Sequence, residues 1–222
     1  MSEINREVGL YGQMDSLRVK NNSSSRRSAH LFLILVHFID NILGKVILIC
    51  GRSGSGKWTL ARYIVERYRA LLYTFSHPLH AILADLDIPN TRENLATLSL
   101  TLRKNFSENI LGLWAREYVE KNRWQLIVLE WIRRIESLKD WSDQIDHIIW
   151  IDTKPEIRYS RMLRRGEKSA EYSLSYTEFI WQESLETECS LEKLREISDI
   201  VIENDTFPDD LYEKYDTYFN HQ

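Results

Sequence analysis

The sequence predicts an α/β fold of three layers, in which a five-stranded parallel sheet carries helices on both faces. Two observations lead to this prediction. Five short apolar runs alternate with longer segments whose apolar residues recur at helical spacing, and strands that alternate with helices pair in parallel. The first apolar run, Val46 to Cys50, leads directly into the glycine-rich segment Gly51 to Thr59, which opens a helix. A strand, a glycine-rich turn and a helix in this order are the context of a phosphate-binding loop.

The length and composition fit one domain with a sizeable core. The chain has 222 residues and a formal net charge of −4, which gives no global attraction to nucleic acid or to anionic membranes. Its two cysteines, Cys50 and Cys189, lie far apart and match neither a disulfide framework nor a metal-binding spacing. This use of cysteine indicates a reducing compartment, so we expect a cytoplasmic protein.

The first 43 residues are predicted to be an extension that precedes the folded domain. Residues 1–28 are polar and end in a serine- and asparagine-rich tract that is typical of a flexible tail. The apolar run Leu31 to Ile39 is shorter than the ~20 residues that a membrane-spanning helix needs, so no stable membrane insertion is expected. We predict a docked helix over 29–43, with surface membrane attachment or sequence foreign to the domain as alternatives. The domain itself is predicted to cover 44–222.

The glycine-rich segment after the first strand has the physical features of a nucleotide site. Glycines let successive backbone N–H groups converge, and the helix N-terminus adds a partial positive charge. Lys57 is expected to reach the β- and γ-phosphates of ATP. The nucleotide-binding residues predicted in this loop are Gly51, Ser53, Gly54, Ser55, Gly56, Lys57, Trp58 and Thr59.

The remaining elements follow from apolar runs and helical periodicity. Pro155 near the start of a segment favours a helix there, and the stretch 91–122 is long enough for two helices. The predicted strands are 71–75, 126–130, 147–152 and 200–204, and the predicted helices begin after Lys57, near 77, within 91–122, at 155 and at 208.

Polar side chains follow the predicted strands at the edge where parallel sheets bind ligands. Glu130 closes one buried strand, where a carboxylate can bind the waters of Mg²⁺ or orient an acceptor. An ordinary carboxylate that caps the next helix is the alternative. We expect Glu130 to act as a metal ligand and catalytic residue, and Asn204, after the fifth strand, to contribute to nucleotide binding.

Several arginines are placed to contact phosphate groups. Arg133, shortly after Glu130, is expected to grip an acceptor phosphate, and Arg103 is expected to reach the same group. Surface charges are the alternative for both. Four further arginines fall within an arc of roughly 120° on one helix, and a glycine and a polar run follow them. They are Arg158, Arg161, Arg164 and Arg165.

This arginine cluster predicts a lid that shields the reaction from water, with a solvated cationic face as the alternative. Within it, Arg161 and Arg165 are expected to be catalytic, because they would neutralise charge on the transferred group.

The motifs resemble, in the same order, those of P-loop nucleoside and deoxynucleoside monophosphate kinases, close to the dephospho-CoA kinase-like group. The similar segments are the Gly-Lys-x-Thr loop, Phe75 to Leu79 (family pattern Phe-Ala-Asp-Pro-Leu), Leu102 to Lys104, Leu129 to Glu136 (Asp-Gly-Val-Arg-Arg-x-x-Glu), Ile149 to Gly166, and Ser198 to Asn204 (Ala-Asp-x-Val-Ile-x-Asn). The resemblance covers about residues 44–219. It implies an adenylate-kinase-like P-loop NTPase fold with a lid, ATP and Mg²⁺ as cofactors, and Thr59 as a source of a metal-binding hydroxyl.

The sequence departs from this family at four positions. Trp58 replaces a small or acidic residue, Trp131 a glycine, Glu130 an aspartate and His77 an aspartate. The two indoles would lie beside the expected phosphates and acceptor, which bears on catalysis rather than on the fold.

The function expected first is an ATP-dependent transfer of the γ-phosphate to a small phosphorylated acceptor, namely a (deoxy)nucleoside monophosphate. Two alternatives remain open: a dephospho-CoA kinase, whose acceptor is a ribose hydroxyl, and a degenerate kinase that binds nucleotide with weak or no turnover. The expected partner is the small acceptor alone, without nucleic acid, and the chain is expected to be a monomer or a homodimer.

Overall fold

The computed structural model describes residues 44–165, 175–186 and 190–220. Five strands form one all-parallel sheet, as the sequence predicted, and their order in the sheet is β2-β3-β1-β4-β5. The strands are β1 (Val46–Gly51), β2 (Leu71–Thr74), β3 (Ile127–Glu130), β4 (His147–Asp152) and β5 (Ile200–Glu203). Each predicted strand is present, with bounds that agree to within one residue.

Helices connect the strands. They are α1 (Lys57–Tyr68), α2 (His77–Asp85), α3 (Arg92–Asn105), α4 (Ile110–Lys121), α5 (Pro155–Arg165), α6 (Tyr176–Glu186), α7 (Ser190–Glu196) and α8 (Pro208–Asn220). The predicted pair of helices within 91–122 is confirmed as α3 and α4. The short helices α6 and α7 were not predicted, and neither were two 3₁₀ turns between β3 and β4, at Ile135–Leu138 and Ser142–Gln144.

The core lies on both faces of the sheet. Every residue of β1 is buried, because the central strand of a parallel sheet is covered on both sides. Leu48 and Cys50 face one cluster that includes Trp150 and residues of α4 and α7. Helix α1 contributes buried Leu60 and Ile64 and packs against α8. The three-layer arrangement is therefore confirmed.

Cys50 is a small buried hydrophobe within this core. It lies in β1 as a free cysteine that is not part of a disulfide, and burial raises the pKa of its thiol to about 12. The thiol is therefore not a nucleophile near neutral pH.

Some sequence predictions fall outside the described part of the chain. These are the extension 1–43 and the polar run after Gly166, which was predicted to be the flap of a lid. No described helix has both the length and the apolarity that are needed to cross a membrane.

Candidate active site

The loop between β1 and α1 has a backbone that only glycine fits at two points. Gly54 and Gly56 adopt φ values of 74° and 103°, in the left-handed region that side chains disfavour. A Cβ atom at Gly54 would lie 2.8 Å from the backbone oxygen of Arg158 in α5, and one at Gly56 would collide with the side chain of Asn204. The glycines therefore allow both the curl of the loop and its close packing against α5 and the end of β5.

Neighbouring strand ends hold this loop through the carbonyl of Ser55. The Nδ2 of Asn204 donates to the Ser55 carbonyl at 2.7 Å, and the hydroxyl of Thr153 donates to it at 3.1 Å. Thr153 also donates to the backbone oxygen of Asn204 at 3.1 Å. Asn204, which was expected to bind nucleotide, thus contacts the loop backbone. Sequence reasoning missed Thr153, although its place directly after the β4 carboxylate was an available signal.

Lys57 is the first residue of α1 and lies between the loop and the end of β3. Its Nζ donates to the backbone oxygen of Arg52 at 2.8 Å and lies 5.9 Å from the centre of the Trp131 ring. The guanidinium of Arg133 lies at the same distance, 5.9 Å, from the Trp131 ring. The indole of Trp131 therefore lies near both the loop lysine and the arginine that was predicted to bind the acceptor.

These residues enclose a small cleft of about 60 Å³. Its lining residues are Gly51, Ser53, Gly54, Gly56, Lys57, Trp58, Trp131, Ile132, Arg133 and Leu191. The cleft thus brings most of the predicted loop residues together with Arg133. Leu191, at the start of α7, was not predicted.

Glu130 lies at the end of β3 and is fully buried, with 0% of its surface exposed. Neither of its carboxylate oxygens has a hydrogen-bond partner among the described residues, so the alternative of a helix-capping carboxylate finds no support. Burial raises the pKa of this carboxyl to about 7, and the positive charge of Lys57 partly opposes the increase. Glu130 is therefore a buried, unpartnered acid close to the loop lysine.

This donor set fits a magnesium ion that is shared with a nucleotide. Orphaned carboxylate oxygens of Glu130 can accept hydrogen bonds from the waters of a hard cation. Thr59 lies half-buried in the first turn of α1, whereas Trp58, which is 44% exposed, offers no oxygen. Within the described ranges no group of three or more His, Cys, Asp or Glu side chains could hold a metal alone. Most ligands of the ion would therefore come from phosphate and water.

The described arginine side chains of α5 do not share one environment, and the assignment of Arg158 to the predicted lid cluster is wrong. Arg158 is only 2% exposed and forms a two-pronged ion pair with Glu183 of α6, with one contact of 2.7 Å. Its Nε also donates to the backbone oxygen of Thr153 at 2.9 Å. Arg158 is thus a structural residue that joins α5, α6 and the end of β4. The direction of its side chain depends on a partner 25 positions away, which helical spacing alone does not reveal.

The other arginines of α5 differ from Arg158. Arg161 donates to the backbone oxygen of Thr206 at 3.0 Å and to that of Ser55 at 3.5 Å, so it lies between the loop and the turn after β5. Arg164 is exposed and donates to the hydroxyl of Ser160. Arg165 is the last residue of the helix, and its side chain lies outside the described part.

Arg103, the second arginine predicted to bind the acceptor, lies away from the cleft lining. Its Nε donates to the backbone oxygen of Ser99 in its own helix, at 3.3 Å. Burial lowers its pKa, and so does the nearby positive charge of Arg134, which pairs with Glu108 at 3.2 Å. The structure therefore places Arg133, but not Arg103, beside the loop.

Three solved structures are similar to this chain. They are an uncharacterized protein from Eubacterium ventriosum (TM-score 0.52, 14% identity, covering 80% of this chain and 99% of that chain), a shikimate kinase from Acinetobacter baumannii in complex with shikimate (0.52, 15%, 80% and 94%) and a shikimate kinase from Bacteroides thetaiotaomicron (0.50, 11%, 79% and 98%). At these identities the similarity shows the fold alone. No curated protein sequence matches the chain.

A protein-family comparison extends over more than half of the chain. The family described as an AAA domain matches residues 47–186, from β1 through the phosphate-binding loop and Glu130 to the end of α6. Together with the all-parallel sheet and its kinase neighbours, this match supports a P-loop kinase-like protein. The chain therefore belongs to the AAA domain family.

Proposed function

We propose that the protein is an ATP-dependent phosphotransferase that moves the γ-phosphate to a small phosphorylated acceptor, namely a (deoxy)nucleoside monophosphate. One observation carries this proposal: Lys57, on the loop side, and Arg133, on the β3 side, line the same cleft. Two cations that line one cleft from different elements can bind two phosphate groups, that of the donor and that of the acceptor, next to each other. A cytoplasmic protein without nucleic-acid partners, monomeric or homodimeric, is part of the same proposal.

Each residue has a defined role in this proposal. The loop backbone and Lys57 hold the β- and γ-phosphates of ATP, and Arg133 orients the acceptor phosphate. Glu130 and Thr59 would hold Mg²⁺, and the ion would supply positive charge that offsets the negative charge of the phosphates. Arg161 fixes the loop against the turn after β5, so the loop donors keep their positions.

The phosphate transfer itself requires little covalent chemistry from the protein. An acceptor phosphate is already anionic near neutral pH, so it needs no general base to attack the γ-phosphate. Catalysis then consists of holding the attacking oxygen in line and stabilising charge on the transferred group. The side chains of Lys57 and Arg133, which line the same cleft, can supply both effects.

A kinase with a hydroxyl acceptor, such as a dephospho-CoA kinase, is the second candidate. Glu130 supports it, because an unpartnered buried carboxylate could accept a proton from a hydroxyl. Two of the similar structures are shikimate kinases, although they share only the fold with this chain. A degenerate kinase remains the third reading, since two half-exposed indoles line the cleft.

A panel of acceptors would test the proposal. The purified protein is incubated with ATP, Mg²⁺ and each of several nucleoside monophosphates, dephospho-CoA or shikimate, and ADP formation is measured. We expect turnover with at least one monophosphate. Turnover with dephospho-CoA or shikimate alone would favour the hydroxyl acceptor, and ATP binding without ADP formation would favour the degenerate kinase.

The Lys57→Ala variant tests the loop itself. It should weaken ATP binding and abolish turnover, because it removes a cation that the loop directs into the cleft. Lys121→Ala is a suitable control, since Lys121 is exposed and pairs with Glu117 within α4. Unchanged ATP binding and turnover in the Lys57 variant would overturn the proposed function.

A further inference from the structure

Trp131 has an unusual backbone conformation for its size. Its φ is 65°, in the left-handed region, which is sterically unfavourable for a residue other than glycine. Its two chain neighbours, Glu130 and Ile132, are both buried. The backbone on either side is therefore anchored in the core, and the indole is directed outward into the cleft, which it lines.

The surroundings of this indole are rich in positive charge. The Nζ of Lys57 and the guanidinium of Arg133 each lie 5.9 Å from the centre of the ring. Both distances are within the range of cation–π attraction. A phosphate oxygen that accepts a hydrogen bond of about 2.8 Å from Lys57 or Arg133 therefore lies within about 9 Å of the centre of the Trp131 ring.

The cleft is too small to enclose more than part of a ligand. Its volume is about 60 Å³, whereas pockets that bury a whole small molecule measure about 300–1,000 Å³. A ligand whose phosphate lies between the two cations must leave its remaining atoms at the rim. Trp131 is 44% exposed and offers a flat aromatic surface there.

We propose that Trp131 is a specificity-determining residue that stacks on the base of the acceptor, so that the acceptor is a phosphate monoester with a purine or pyrimidine. This inference rests on the proposed function and deepens it, because it excludes acceptors that lack an aromatic ring. Stacking on an aromatic side chain needs no hydrogen-bond pattern, so it favours bases as a class over sugars.

The test compares a ligand that carries a base with a ligand that lacks one. Binding of a nucleoside monophosphate and of ribose 5-phosphate is measured by calorimetry with the unmodified protein and with the variants Trp131→Phe and Trp131→Leu. The unmodified protein should bind the nucleotide at least about tenfold more tightly than ribose 5-phosphate. Trp131→Leu should remove this preference, because it should weaken nucleotide binding at least about tenfold more than ribose 5-phosphate binding, and Trp131→Phe should keep part of it.

Two further variants keep the test decisive. Trp124→Leu removes an indole that is exposed elsewhere on the surface, and it should leave both affinities unchanged. Trp131→Gly suits the positive φ, so it should fold even if the leucine variant does not, and it should lose the preference for the base.

Three results would overturn the inference. They are an equal loss of both affinities in the Trp131 variants, tighter nucleotide binding after removal of the indole, and no preference for the base in the unmodified protein. Binding is measured without turnover, so the two proposals can fail separately. A lack of ADP formation would count against the proposed function, and the binding affinities would still test the role of Trp131.

Discussion

Glu130 combines full burial with a carboxyl that lacks a hydrogen-bond partner among the described residues. Burial raises its pKa from 4.5 to about 7 in the folded protein. Below pH 4.5 the carboxyl is neutral in both states and costs no stability. As the pH rises towards 7, the unfolded chain ionises first, so the folded state loses stability.

We therefore expect Glu130→Gln to raise the free energy of unfolding by about 2–3 kcal/mol at pH 8, and by less than about 1 kcal/mol at pH 5. Denaturant titrations at the two pH values measure the effect. Glu117→Gln is the control, because Glu117 is exposed and pairs with Lys121 in its own helix. Equal gains at both pH values would show that ionisation of Glu130 does not destabilise the fold.

Trp58 bears on metal use, because it occupies the first turn of α1 directly after Lys57. Its indole cannot ligate a hard cation, and the hydroxyl of Thr59 lies about 100° further around the helix. We expect weak Mg²⁺ dependence and slow turnover in the unmodified protein, and an increase in both for Trp58→Ser. Turnover rates of both proteins, measured over a range of Mg²⁺ concentrations, test this prediction. Fast turnover that Trp58→Ser slows would show that the indole assists catalysis.

At the scale of residues, the sequence predicted the conformation of the loop and the position of Arg133, but not the environments of Arg158 and Arg103. Loop positions such as Gly54 and Lys57 follow from local geometry, which spacing encodes. The roles of Arg158 and Arg103 depend on residues distant in sequence, Glu183 of α6 and Arg134 after β3. A single sequence gives no information on such pairs until the fold is known.

Among the helices, α5 is fixed to α6 by the buried pair of Arg158 and Glu183. Removal of the arginine would leave a buried carboxylate without its partner. We expect Arg158→Met to cost about 3–5 kcal/mol of unfolding free energy, and the double variant Arg158→Met with Glu183→Leu to recover most of the loss. Thermal and denaturant unfolding provide the measurement.

Arg164→Met is the matched control for this prediction. Arg164 lies in the same helix, is exposed, and donates to Ser160 one turn earlier, so its loss should change the stability little. Equal costs for the Arg158 and Arg164 variants would contradict a structural role for the buried pair. Because α5 also contacts Gly54, the Arg158 variant should in addition weaken ATP binding.

For the whole molecule, the position of the first strand predicts how much of the chain is needed to fold. All five strands lie between Val46 and Glu203. A chain that begins at Gly44 should therefore fold and bind ATP, with a cooperative thermal transition within a few degrees of that of the full chain. Calorimetry and ATP titration test this. An insoluble product without a transition would show that residues 29–43 complete the core.

The sheet was predictable as a whole because each strand is a separate apolar run, and because alternation with helices requires parallel pairing. The helices α6 and α7 were not predicted. Helix α7 has only seven residues, too few to establish a periodic pattern. The sequence predicted that the loop and the residues after β3 would line the cleft, but not that α7 would contribute Leu191.

The central place of β1 has a consequence for synthesis on the ribosome. Val46 pairs with Ile127 of β3, and Ile47 pairs with His147 of β4. Strand β1 is therefore synthesised before both of the strands that pair with it. At 5–20 residues per second, the roughly 80 residues from Val46 to Ile127 take about 4–16 s to translate. During those seconds an apolar strand is outside the ribosome without either neighbour. Exposed apolar segments of this kind are prone to aggregate, and this is the risk that β1 (Val46–Gly51) carries during synthesis.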